Sequence, residues 1–218
     1  MNTFYGEQYR KLQDQFDSRQ VADVLAAVIV RPEIDDEAKA FIESRTFFFL
    51  STVSADGQPT VSHKGGGPGF VRVIDPTTIV FPSYDGNGMF LSMGNIAGDG
   101  RIGLLFMDFE RPHRVRAHAH AVVNRDDPMM NEYPGADLIV RATLTDVFVN
   151  CPRYITPHTL GEVSKYVPDA HGNAPLPGWK KIDALQPFLP SRFQGLAEAE
   201  NDVITPDEYS QRLLHGDG

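Results

Sequence analysis

From Val115 to Val123 the chain alternates residue by residue, with Arg114, Arg116, His118 and His120 on one side and Val115, Ala117, Ala119 and Ala121 on the other. Successive side chains of a β-strand point to opposite faces, so this pattern specifies a strand with one buried and one polar face. Similar short runs rich in Phe, Val, Ile and Thr begin at Thr46 and are separated by turn residues, as in an antiparallel sheet or barrel. Thr46 to Val53 reads as a strand, Ala55-Asp56-Gly57-Gln58 carries the Asp-Gly turn signal, and Pro59 to Lys64 returns as its hairpin partner. Phe70 to Ile74, an Asp75-Pro76 turn, and Thr78 to Phe81 make a second hairpin. Ile102 to Met107 is apolar on both faces and Asp137 to Val149 is a last long strand.

Helical signals flank this β-rich stretch. Residues 4–30 read as helical, with Val21, Val24, Leu25 and Val28 at the spacing that buries one stripe, and Pro32 ends the pattern. A second helix is expected to start at Asp35 or Asp36, whose side chain can cap free amides, and to run to about Ser44. Asn87 to Ala97 suits one short helix. Beyond Cys151 the chain is rich in proline with weak helical stretches, and Thr205-Pro206-Asp207-Glu208 is a good helix start. The organisation expected is an N-terminal helical extension over 1–35, a β module over 36–150, and a loop-rich C-terminal segment with short helices over 151–218.

Composition narrows the function classes. With 29 acidic and 20 basic residues the net charge is −9, and such a surface repels phosphate backbones and anionic lipid, which argues against nucleic acid or a membrane as partner. The apolar run Leu25 to Val30 is far short of a span, and MNTFYGEQYR lacks a basic region followed by an apolar one, so a cytoplasmic location is expected. The single cysteine, Cys151, excludes an internal disulfide, and before Pro152 with no evident base it reads as inert.

Few residues carry chemistry by themselves. His118 and His120 share one strand face, which suits either two metal ligands, as in a metal-dependent β-barrel enzyme, or a polar face toward solvent or an interface. Gly86-Asn87-Gly88 lacks the third glycine of a dinucleotide fingerprint, Leu91 standing there; two glycines before a helix either expose amides for a phosphate or form an ordinary cap. His63-Lys64, followed by Gly65, Gly66 and Gly67, sets a basic group beside backbone that a ligand can approach closely. No triad or paired-carboxylate signature is present, and Ser51, Ser54 and Ser62 are not in a nucleophile-elbow context.

Taken in order, FLSTVSADGQPTVSHKGG, TTIVFPSYDGNGMFLSMGNI and GRIGLLFMDFERPHRVRAHAHAVV resemble the FMN-binding split barrel of the pyridoxamine 5′-phosphate oxidase family. The resemblance implies a mainly β fold with added helices, an antiparallel six-stranded split β-barrel, an FMN cofactor, and a homodimer with flavin at the interface. It assigns Ser62, His63, Lys64 and Gly65 to the strand along the flavin, with Lys64 at the phosphate. Ser83 and Tyr84 flank the ring, Asn87, Gly88 and Met89 form the phosphate turn, and Arg114 contacts the flavin. Arg153, within the stretch Asn150 to Ile155, is placed either to close over the cofactor or to pair on the surface.

The sequence departs from the family's pattern in two places. Gly88 and Met89 stand where basic residues are usual, and Arg212-Leu213-Leu214-His215 is not the arginine-and-histidine motif of the vitamin B6 enzymes. The resemblance therefore implies an FMN-binding oxidoreductase acting on an unidentified small molecule, with NADH or NADPH as a candidate donor. The flavin would supply the redox chemistry, so no catalytic side chain or metal is required. The alternative of a different class is a non-catalytic flavin or haem binder.

Overall fold

The structure is a computed structural model that describes residues 4–215. Its centre is one antiparallel sheet of seven strands: β1 Phe47–Val53, β2 Pro59–Gly65, β3 Arg72–Asp75, β4 Thr78–Tyr84, β5 Arg101–Asp108, β6 His113–Asn124 and β7 Ala136–Val149. Each of the seven runs read from the sequence forms a strand. The strand order is β2-β1-β5-β6-β7-β4-β3, with β2 and β3 at the edges. The six-stranded split barrel is thus corrected to seven strands in an open ladder, because the 70–84 hairpin contributes two strands and β3 ends the sheet.

The sheet is nevertheless strongly curled. In a flat sheet β1 and β4, four strand spacings apart, would be separated by roughly 19 Å. The rings of Phe48 on β1 and Phe81 on β4 instead meet edge to face at 5.0 Å between centroids. Phe48 also contacts Phe106 at 5.3 Å and Phe70 at 5.9 Å. Phe48, Phe81 and Phe106 are fully buried, and burial of each contributes about 1.5 to 3 kcal/mol. The alternation of β6 supplies Val115, Ala117, Ala119 and Ala121 to this core, and the small alanines allow the curled faces to approach.

Helix α3, Asp36–Glu43, begins as expected: Asp35 accepts a hydrogen bond from the amide of Ala38 at 2.9 Å. The 4–30 segment is two helices, α1 Glu7–Gln15 and α2 Arg19–Ile29, because Asp17 takes a left-handed φ of 49° between them. The expected buried stripe is also corrected. Val21, Val24, Leu25 and Val28 are 47 to 62% exposed, and only Ala26 of α2 is buried. Helix α4 is Leu91–Gly98. The C-terminal segment consists of 3-10 turns between residues 178 and 193, then α5 Leu196–Ala199 and α6 Pro206–Leu214. Thr205 and Glu208 form a reciprocal cap at the start of α6. Among the described residues no helix is long and apolar enough to cross a membrane.

Candidate functional site

A cleft of about 240 Å³ opens between β2, the end of β4, and the start of α4, lined among others by Ser62, Lys64, Ser83, Tyr84, Asn87 and Gly88. Sheet register explains which side chains reach it. Lys64 is paired with Phe48 and Ser62 with Leu50, so both point to the face that carries the core. β2 is an edge strand, and this part of its inner face borders a cleft instead of the packed interior.

Helix α4 forms the opposite wall and is held by polar contacts. Ser62 Oγ and Ser92 Oγ lie 3.0 Å apart, and Asn95 Nδ2 donates to Thr52 Oγ1 at 3.0 Å. Thr52 and Thr60 hydroxyls bond across β1 and β2 at 2.8 Å. The helix starts four residues later than expected. Asn87 Oδ1 accepts the amide of Met89 at 3.0 Å, Gly88 has φ +77°, and Phe90 has φ +51°, a backbone unsuited to continuing a helix. The amides that open α4 are therefore those of Leu91, Ser92 and Met93, which also line the cleft, and Phe90 supplies no side-chain cap. From sequence, the phosphate turn is placed at Asn87 to Met89 but the helix begins at Asn87, so nothing is assigned to the amides of Leu91, Ser92 and Met93.

Lys64 is half-buried, and among the described residues no hydrogen-bond or ion-pair partner meets its ammonium. Desolvation pushes its pKa below the ordinary lysine value. Burial raises the phenol pKa of Tyr84, so this hydroxyl keeps its proton. A half-buried cation facing uncapped helix amides is a site for an anion.

The other sequence-assigned residues lie elsewhere. His63 alternates to the outer face, where its ring stacks on Phe47 at 5.4 Å, and burial followed by the Lys64 charge lowers its pKa. Gly65 is adjacent to it, and a Cβ there would sit 3.1 Å from the His63 ring. The close approach in the following loop is to the core: a Cβ on Gly66 would lie 2.3 Å from Phe70. Met89 is 63% exposed outside the cleft lining. Arg114 is paired with Met107 on the outer face and donates to the carbonyl of Cys151 at 3.0 Å, and Arg153 is exposed beside it. His118 and His120 share the outer face as their spacing requires. His118 Nδ1 lies 3.7 Å from Asp146 Oδ2 and its ring contacts Phe148; among the described residues no group of three ligating side chains could hold a metal ion.

The pyridoxamine 5′-phosphate oxidase family model matches residues 34–147, more than half of the chain, and the chain belongs to that family. Among solved structures it is similar to a putative pyridoxamine 5′-phosphate oxidase from Lactobacillus delbrueckii, with 24% identity over 54% of this chain and 95% of that one, TM-score 0.44. It is also similar to HupZ of Group A Streptococcus, with 20% identity, 59% and 99% covered, TM-score 0.44. HutZ, the heme storage protein of Vibrio cholerae, has 19% identity, 53% and 93% covered, TM-score 0.38. No curated protein matches the chain.

Proposed function

We propose that this protein is an FMN-dependent oxidoreductase acting on a small molecule, with the flavin phosphate held between Lys64 and the opening amides of α4. The observation that carries the reading is the unpartnered, half-buried ammonium of Lys64 facing that helix start in a member of this family. Phosphate contacts of this kind come from a charge-assisted bond and from backbone donors, which suits a chain with Gly88 and Met89 in the turn. Ser83 and Tyr84 at the end of β4 would border the ring, Tyr84 with a protonated hydroxyl free to donate. Bound FMN would supply the transfer of reducing equivalents, and the side chains would bind, orient and limit access of water.

A cleft of about 240 Å³ lies below the usual range of roughly 300 to 1,000 Å³ for ligand sites, which supports a homodimer whose second copy completes each site. Arg114 and Arg153, on the opposite face, are assigned to the half of the site that a partner contributes. NADH or NADPH is the proposed donor. Two measurements test the reading. FMN added to purified protein should lose fluorescence at a stoichiometry of one per chain, and unquenched flavin refutes the assignment. Anaerobic NADH or NADPH should bleach the bound flavin; flavin that binds but resists both donors indicates the non-catalytic binder instead.

A further inference from the structure

The C-terminal segment builds a second cleft that shares Tyr84 with the first. It has a volume of about 480 Å³, within the range of small-molecule sites. Tyr84, Tyr166 and Phe193 give it aromatic walls, with Pro168, Pro177 and Leu196 between them. The segment carrying Tyr166 and Pro168 is pressed onto the start of β7: Gly135 and Gly172 both have positive φ, and a Cβ on Gly172 would sit 2.8 Å from the Gly135 amide nitrogen. This wall is thus fixed by backbone contact, and it lies outside the residues matched by the family model.

The two cations at this cleft are matched by two of its three carboxylates. Arg192 donates to Asp137 through two bonds of 2.6 and 2.8 Å and to Asp85 at 2.9 Å. The other oxygen of Asp85 accepts from Lys180, which is buried under the Phe193 ring. Both cations are therefore committed to carboxylates, and among the described residues Glu200 at the rim has no ion-pair partner. No lining residue offers a phosphorylated or carboxylated ligand an uncommitted cation, and Glu200 leaves the lining with a residual negative charge, with Arg125 and Lys165 standing outside it near Asp137 and Tyr166. Aromatic and proline walls favour a flat, apolar ring.

We infer that this second cleft is the substrate subsite and takes a neutral, ring-containing small molecule that carries no phosphate. The inference deepens the flavin reading and rests on it, since Tyr84 is the wall common to cofactor and substrate. The test uses full-length protein with and without FMN, following fluorescence of Trp179, the one tryptophan of the chain, beside Lys180. Duroquinone, a flat neutral ring, and pyridoxine 5′-phosphate are the two probes. Duroquinone should quench saturably and more tightly than the phosphate ester. Leu196 is 43% exposed, so Leu196→Arg can add a cation that offsets Glu200 without disturbing packing, and Leu196→Met serves as the conservative control. Leu196→Arg should weaken duroquinone about tenfold and tighten pyridoxine 5′-phosphate, with Leu196→Met near the parent for both. Equal or tighter binding of the phosphate ester by the parent, or duroquinone binding indifferent to Leu196→Arg, overturns the inference. FMN uptake is read separately from flavin fluorescence. Leu196-dependent duroquinone binding without FMN uptake refutes the flavin reading and sustains the cleft, whereas FMN uptake with no such dependence refutes the cleft alone.

Discussion

Two lysines lean on the same short stretch of chain at the end of β4, and they are treated in opposite ways. Lys180 is 1% exposed, paired with Asp85, and covered by the Phe193 ring at 3.3 Å from its centroid. Lys64 is half-buried in the neighbouring cleft and has no partner among the described residues. A buried cation is tolerated when a carboxylate and an aromatic face replace its water, and it then becomes part of the fold. A cation left desolvated without a partner raises the energy of the ligand-free protein, and that penalty is removed when an anion binds. The difference assigns Lys180 to architecture and Lys64 to ligand.

The largest expected effect breaks the architectural side. Lys180→Met should destabilise the protein by about 3 kcal/mol, because it removes a charge-assisted bond to Asp85 and the cation under the Phe193 ring, while Asp85 keeps Arg192 as counter-charge. A clear fall in the thermal midpoint is the measurement, and an unchanged midpoint would dissolve the contrast. Lys64→Ala should do the reverse, leaving the midpoint of the cofactor-free protein unchanged or slightly higher. FMN binding should lose about 1.5 to 3 kcal/mol, roughly ten- to more than a hundredfold in affinity. If Lys64→Ala lowers the midpoint as far as Lys180→Met does, Lys64 is structural.

A third substitution sharpens the role of burial by keeping the carboxylate and changing its partner. Arg192 also pairs with Asp85, yet its side chain is 51% exposed. Solvent screening reduces such exposed pairs to about 0 to 1 kcal/mol, so Arg192→Gln, although it also removes the two bonds to Asp137, should lower stability less than Lys180→Met. Chemical denaturation of the two variants side by side is the comparison. Equal losses would show that the network acts through connectivity and not through burial.

The strands were legible from local patterning, because alternation and turn residues depend on neighbours within a few positions. The Asp35 and Thr205 caps were legible for the same reason. Faces were harder. Lys64 and His63 are adjacent, and only their pairing with Phe48 and Phe49 determines which of them meets the cleft. The resemblance names Arg114 without saying which subunit's site it serves, and its register with Met107 turns it to the outer face, away from the cleft beside Lys64 of its own chain. The stripe of α2 was read correctly as apolar, but amphipathicity does not specify what covers it, and Val24 and Val28 face outward. The Lys180–Asp85 pair spans 95 residues and carries no local signal at all. The resemblance gave six strands where the residues themselves contain seven runs; β3 and β4 are separated by only a tight turn.

The smallest expected effect is a pH dependence, and its sign follows from the depressed pKa of Lys64. Between that lowered value and the ordinary 10.5, the unfolded chain keeps a proton that the folded, ligand-free protein has released. Stability rises with pH wherever the unfolded state binds more protons, so the cofactor-free protein should gain stability from Lys64 across this window and show no such slope below it. Anion binding has the opposite sign, because a phosphate favours the charged ammonium and its affinity must fall as pH rises through the same window. His63, whose pKa is lowered, stays neutral there, and Tyr84, whose pKa is raised, stays protonated over its lower part, so neither produces the slope. The phosphate is already a dianion above about pH 7 and does not contribute either. Titrating inorganic phosphate or FMN against parent and Lys64→Met at several alkaline pH values isolates the effect as the difference between the two proteins. Parallel pH profiles would mean that the ammonium of Lys64 does not meet the anion, and the division between the two lysines would fail at the site itself.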